Sequence, residues 1–390
     1  MIKRPLKIAF VSLPDSIFND GAVRSGSVIV NDQLIFFLRK QGHHVLELKP
    51  AESRVELRKL SGFGNALMFQ DLLRHIDEIN KCDLIVSTNY FGASIPEIKI
   101  PQVTIFHHCA KTLLSFIDGE AEIVDKNILQ KWQRKFLRYG LFYKNEESFH
   151  DRIVSLLEQY ACENSASVIA VSRSIKDEII SNYSISAEKV QVAYNSVPES
   201  WLNRQVQKDF SVNKMNLICV TRMPGSEPGL MMKGIDRIFE IMTSVRGYNK
   251  ILVASTHNQN YRQMVKEQFR DVEVKWNLSH EEVSEAFLSS HISIHCSRVE
   301  SFGLTLVESM LMGNIVLVYP VGVAPEIIKH GENGFIVRSV TDIKKLLKQI
   351  PKMNNLAEIS TNARATVINK MSPDNFIQSY LDVFEKIVKE

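Results

Sequence analysis

The chain has 390 residues, with 47 basic and 44 acidic side chains and a net charge of +3. That length suits two domains, each with its own core, and so even a charge balance gives no general field for nucleic acid. Cys82, Cys109, Cys162, Cys219 and Cys296 are odd in number and contain no C-x-x-C pair, which argues against a disulfide framework or zinc site and for reduced thiols in a cytoplasmic protein.

In chain order, the start MIKRPLKIAFVSLPDS has an apolar run broken by Pro14 and Asp15. That is too short for a signal peptide and reads as a first strand. SVIVNDQLIFFLRKQG has helical periodicity and ends at Gly42, a C-terminal cap. HHVLELK, DLIVST, PQVTIFHH, SVIAVS and KVQVAY are further strands, with helical patterns in most of the gaps. Near-continuous apolar strands alternating with helices imply a parallel sheet covered on both faces.

The alternation lapses over Asn195–Ser211, which reads as a linker, and then restarts. NLICVT, KILVAS, DVEVKW, ISIHC, IVLVY and GFIVRS are the strands of a second doubly wound unit. The end is one amphipathic helix, with Ser372 as N-cap and Pro373 at its first position. No apolar stretch approaches the roughly 20 residues of a membrane span.

Ligands of open α/β sheets sit at the carboxyl ends of the strands. In the second unit that directs attention to SRVESFGLTLVESMLMGN, Ser297–Asn314. ISIHCS ends as a strand, LTLVESMLM continues as a short helix, and Gly313 stops it. The N–H groups of Phe302, Gly303 and Leu304 would face a ligand at the helix start, where the dipole favours phosphate. Glu308 lies one turn further along and leans back toward that point, while Glu300 approaches from the loop. Two carboxylates repel a phosphate but accept hydrogen bonds from hydroxyls on either side of it. Diol, diphosphate and polyol in a row describe a nucleotide sugar. Taken alone, the acids are equally well read as partners of the helix dipole.

Glu300–Val337, ESFGLTLVESMLMGNIVLVYPVGVAPEIIKHGENGFIV, resembles the donor-site signature of glycosyltransferase family 4, the group 1 enzymes that include glycogen synthase and sucrose synthase. The resemblance covers most of the chain. It implies an α/β protein of GT-B fold, two Rossmann-like doubly wound domains facing across a cleft. It places an acceptor-binding domain at 1–198, a donor-binding domain at 199–372, and a helix at 373–390 returning to the first. By this resemblance Glu300 would bind donor-sugar hydroxyls, the backbone of Phe302, Gly303, Leu304 and Thr305 would hold sugar and phosphate, and Glu308 would take the ribose diol. TRMPGSEPGLMMKG resembles the family's Arg…Lys-Gly segment, so Arg222 and Lys233 would clamp the diphosphate in place of a metal. RSGSVIVNDQLIFFLRKQGHHV resembles the first loop and helix, with Gly26 on the second loop glycine. PQVTIFH resembles a strand ending in a catalytic histidine, which gives His107, with His108 as runner-up.

The chain departs from the pattern at Ser25 and Thr221, where glycines are usual, in a longer Arg222–Lys233 spacing read as a bulged loop, and in VASTHNQ, which lacks a glycine-rich turn. Trp276 stands where the nucleobase would be read, although packing explains a single Trp as well. Asp125–Lys144 interleaves basic residues with Ile128, Leu129, Trp132, Phe136 and Leu137. One reading is a peripheral contact with the inner face of a membrane, near a lipid-linked acceptor. The preferred one is a domain-surface helix with its apolar face buried.

The expected function is a retaining, metal-independent glycosyltransferase, with a nucleotide-sugar donor, a carbohydrate or lipid-linked acceptor and no other cofactor. The rivals are a nucleotide-sugar epimerase and a non-catalytic nucleotide-sugar-binding protein. A dinucleotide oxidoreductase ranks last, because no G-x-G-x-x-G follows the first strand.

Overall fold

The structure is a computed structural model that describes residues 4–11, 26–48, 72–90, 95–118, 123–141, 148–224 and 227–389. The chain forms two units. One comprises 1–119, 146–196 and 373–390, the other 120–145 and 197–372.

In the first unit the described strands are β1 (Lys7–Val11), β2 (His44–Leu48), β3 (Leu84–Thr88), β4 (Gln102–Phe106), β5 (Ser167–Ala170) and β6 (Val190–Val192). They form one parallel sheet in the order β2-β1-β3-β4-β5-β6. Every residue of the inner strands β3 and β5 is buried, whereas edge strand β2 is mostly half-exposed, as parallel strands between helical layers require. The helix Gly26–Lys40 stops at Gly42, whose φ of 87° lets His43 donate back to Leu38 O. The closing helix Pro373–Lys389 belongs to this unit and buries Phe376, Ile377, Tyr380 and Phe384. The Phe376 ring lies 6.3 Å from that of Phe37 on Gly26–Lys40.

In the second unit the described strands are β7 (Asn216–Arg222), β8 (Asn249–Ser255), β9 (Val272–Trp276), β10 (Ile292–His295), β11 (Ile315–Val318) and β12 (Phe335–Ile336). They too form a parallel sheet, in the order β12-β11-β10-β7-β8-β9. The order reverses direction at β7 and β10, so their carboxyl ends mark the crevice where such sheets bind ligands.

The structure changes the expected boundaries. A first domain running unbroken over 1–198 is interrupted, because 120–145 folds with the second unit. Its helix Lys126–Arg138 buries Leu129, Trp132 and Phe136 there, with the Trp132 ring 5.3 Å from Phe239. Trp132 Nε1 donates to Glu240 at 3.2 Å, and Lys131 pairs with the same carboxylate at 2.6 Å. Before this helix, Asp125 sits at a φ of 63° and binds the Tyr319 hydroxyl at 2.9 Å and Arg237 at 3.1 Å. An apolar helical face needs a partner surface, and this one finds it out of chain order. The face proposed for a membrane is therefore occupied. Outside it lie Lys126, Lys131, Arg134, Leu137 and Arg138.

The supposed linker is packed as well. The helix Glu199–Leu202 falls within it, and Trp201 is fully buried. The expected bulge between Arg222 and Lys233 contains the helix Glu227–Met232. Ser25 lies outside the described residues, and Gly26 is the first described residue of its helix. None of the five cysteines is paired, and all but Cys82 are buried. Among the described residues no helix is long and apolar enough to cross a membrane.

Candidate active site

The site grows from the carboxyl ends of β7, β9 and β10 in the second unit. β7 runs through Thr221 and ends at Arg222, whose side chain is exposed. Thr221 stays in the ladder opposite Ala254, so the chain does not turn where a glycine is usual. After β8, asparagines do the turning. Asn277, with a φ of 52°, accepts from Thr256 N at 2.9 Å, and Asn258 caps the helix Gln259–Gln268. Trp276 ends β9, half-buried, with the Arg262 guanidinium 5.2 Å above its ring.

Lys233 is followed by Gly234, and the glycine is required. A Cβ at Gly234 would lie 2.1 Å from Cys296 O at the end of β10. This close approach sets Lys233 beside the loop that follows β10. There Lys233 Nζ lies 2.7 Å from Glu300 Oε1, which also accepts from Ser297 Oγ at 2.8 Å. Burial alone would raise the Glu300 carboxyl, but Lys233 and Ser297 bring it below the ordinary carboxylate range. Glu300 is thus an anion held by a cation, suited to accept hydroxyl hydrogens.

The helix Leu304–Leu311 begins at Gly303, whose φ of 96° disfavours any side chain. Phe302 is buried, and its carbonyl accepts from Val323 N at 2.9 Å. Gly303, Leu304 and Thr305 are half-buried. The first N–H groups of a helix have no partner within it and carry its positive dipole end. Glu308, one turn in, is buried.

Sequence reasoning missed the partner of Glu308. His280 Nε2 lies 2.8 Å from Glu308 Oε1, and the His280 ring stacks on Trp201 with centroids 4.4 Å apart. Burial pulls the His280 pKa down, but its bond to Glu308 outweighs this and leaves it raised. His280 opens the helix His280–Leu288 behind a capping box from Ser279 and Glu282. The box was legible; the contact 28 positions away was not. His295, at the end of β10, was also missed. It is held by Ser293 Oγ at 2.9 Å, and burial lowers its pKa to about 4 despite the Glu300 charge.

In the first unit His107 follows β4 and is buried. Its Nε2 lies 2.9 Å from Asn31 Oδ1 on the helix Gly26–Lys40. Burial, with His108 adjacent, lowers its pKa to about 3. It is neutral at pH 7 and too weak a base to remove a proton from a hydroxyl there. His108 is half-exposed, with Nε2 3.9 Å from Glu158 Oε1. Glu158 is fully buried and accepts from Asn89 Nδ2 at 2.8 Å, Ala110 N at 2.8 Å and the Tyr183 hydroxyl at 2.5 Å. No motif announced Asn31 or Glu158. Among the described residues no group of three or more His, Cys, Asp or Glu side chains is placed to hold a metal ion.

Two family models match the chain, Glycosyltransferase Family 4 over residues 24–201 and Glycosyl transferases group 1 over residues 230–367. An uncharacterized glycosyltransferase of Methanocaldococcus jannaschii is 24% identical over 63% of this chain and 65% of its own length. The N-acetyl-alpha-D-glucosaminyl L-malate synthase of Bacillus anthracis is 23% identical over 62% and 65% respectively. The chain therefore matches just under two thirds of these curated relatives. Among solved structures, the sucrose-phosphate synthase of Thermosynechococcus elongatus superposes with a TM-score of 0.72 at 14% identity, covering 98% of each chain. Anabaena HepE, solved in complex with UDP and glucose, gives 0.66 at 16% identity over 98% of this chain and 100% of its own. These likenesses are to GT-B proteins, with an α/β sheet in each of two domains.

Proposed function

The chain belongs to the family 4 and group 1 glycosyltransferases, and from that premise we propose that it moves a sugar from a nucleotide-sugar donor to an acceptor hydroxyl, with retention at the anomeric carbon and without a metal. The observation that carries this reading is the grouping of Lys233 on Glu300 with a buried Glu308 at the start of the next helix. In it, the second unit binds the donor. Glu308 takes the ribose, the helix start at Gly303–Leu304 takes phosphate, and Glu300 takes hydroxyls of the sugar.

As the glycosidic bond breaks, negative charge gathers on the leaving nucleoside diphosphate. Lys233, held on Glu300, and Arg222, exposed at the end of β7, are the cations that would meet that charge. Trp276, with Arg262 over its ring, offers a face to the base. The first unit binds the acceptor, and His107, being neutral, serves as a hydrogen-bonding group. The acceptor is a carbohydrate, a lipid-linked glycan or a small molecule. Any contact of Lys126–Arg138 with a membrane would rest on charge, since Leu129, Trp132 and Phe136 are buried in the second unit.

The UDP and glucose bound by the similar Anabaena HepE make UDP-linked sugars the first to try. A ligand that binds only the folded protein raises its melting temperature by mass action. A thermal-shift screen should identify the donor, and the anomeric proton of the product then reports retention or inversion. No stabilisation by any nucleotide sugar, nucleoside diphosphates included, would count against the reading.

A further inference from the structure

We propose that Asn31 is a positioning residue that fixes the tautomer of His107, keeping its proton on Nε2 and leaving Nδ1 as an acceptor for a substrate hydroxyl. The assignment of hydroxyl binding rests on the function proposed above; the tautomer does not.

A chain of hydrogen bonds runs from a backbone carbonyl to the His107 ring. Val11 O, at the end of β1, can only accept. The Thr88 hydroxyl lies 3.2 Å from it and donates its one hydrogen there. With that hydrogen committed, Thr88 Oγ1 can only accept from Asn31, whose Nδ2 lies 3.2 Å away. The reverse orientation of the Asn31 amide would ask the hydroxyl for a second hydrogen that it lacks. Asn31 must therefore turn Oδ1 toward His107, 2.9 Å from Nε2. An amide oxygen facing an imidazole nitrogen at that distance requires an N–H there.

The other ring nitrogen then bears the lone pair. Among the described residues, Nδ1 makes no hydrogen bond. Burial and the neighbouring His108 oppose a second proton on the ring. Asn31 and Thr88 are themselves buried, so water does not compete for the relay. What remains is a neutral, oriented acceptor at the carboxyl end of β4. Such a group matches a hydroxyl donor and gives nothing to an anion.

The test is read on the protein without any sugar. Histidine is labelled with 15N, and long-range proton–nitrogen spectra are recorded between pH 6 and 8. The His107 signals are identified by their loss in His107→Gln. A neutral ring protonated at Nε2 is expected in the native protein. Asn31→Leu, similar in size but without an acceptor, should give a mixture of tautomers or an Nδ1–H ring. Asn31→Asp keeps the acceptor and should retain the Nε2–H form, with a pH profile moved upward by the carboxylate. Transfer should fall on the order of tenfold to a hundredfold in Asn31→Leu, as when an orienting partner is lost, and recover in part in Asn31→Asp. Should Asn31→Leu fail to fold, Thr88→Val frees the amide to turn and is read in the same way.

A native His107 protonated at Nδ1 overturns the proposal, as does an Nε2–H signal unchanged in every variant that lacks the relay. A tautomer that shifts as expected in a protein with no transferase activity supports this assignment and counts against the functional reading.

Discussion

His280 Nε2 holds Glu308 Oε1 at 2.8 Å, and Trp201 backs the imidazole with its ring. The carboxylate assigned to the ribose thus has a hydrogen-bonding partner supplied by another helix, which in turn rests on a segment expected to be a linker. Glu308 is buried, so it would be costly to leave without a partner. His280 supplies that partner and directs the carboxylate.

The first prediction concerns pH. Because the folded pKa of His280 is raised above its unfolded value, the pair contributes stability that is complete below the unfolded value of about 6.5 and is lost as pH rises through the folded one. Melting curves on His280→Gln between pH 6 and 8.5 should show this component gone, with a loss of up to about 1 kcal/mol at pH 6 after solvent screening. A pH dependence identical to the native protein's would remove the pair from the account.

The acid side should behave in the opposite way. His107 and His295 are buried with pKa values lowered to about 3 and about 4. The unfolded chain takes up protons that these two rings refuse, so both units lose stability as pH falls below about 6.5. His295→Gln should flatten that limb for the second unit, and urea titrations at pH 5 and 7 measure it.

Glu300 and Glu308 should prove separable. Glu308→Ala should weaken a bare nucleoside diphosphate and the full donor alike, by about 1.5–3 kcal/mol, the cost of a hydrogen bond to a charged group. Glu300→Ala should leave the diphosphate nearly unaffected and lower transfer sharply. Calorimetry on both variants decides, and an equal loss of diphosphate affinity sinks the division of roles.

Transfer should survive EDTA. Arg222→Ala and Lys233→Ala should each lower it by about 2–4 kcal/mol in transition-state stabilisation, the size expected for one removed stabilising group. Lys233→Ala also leaves Glu300 without its 2.7 Å partner, so its effect should extend to the sugar. Activity lost in EDTA and restored by manganese would overturn the cationic clamp.

Trp132→Ala should destabilise the second unit by about 3–5 kcal/mol, as when a large aromatic leaves a core. Hydrogen exchange should then rise along Lys126–Arg138 and at Phe239. Exchange rising in the first unit alone would contradict the assignment of 120–145.

The sequence by itself determined the twelve strands seen among the described residues and their parallel direction within two sheets, because apolar runs of that length, alternating with helical periods, need cover on both faces; the order in which the strands lie side by side came from the tertiary structure. It also determined the glycines at Gly42, Gly303 and Gly313, where the backbone has positive φ, and the pair Glu300 and Glu308, whose spacing is local to one turn and one helix; that Lys233 meets Glu300 from 67 positions away was left to the tertiary structure. Tertiary structure alone decided that Lys126–Arg138 fills the core of the second unit, since the sequence shows that a helical face is apolar but not which surface will cover it. It alone brought His280 to Glu308 and Asn31 to His107. Those contacts depend on where separate helices cross the ends of a sheet, and the free energy that holds them there comes from side chains far from both.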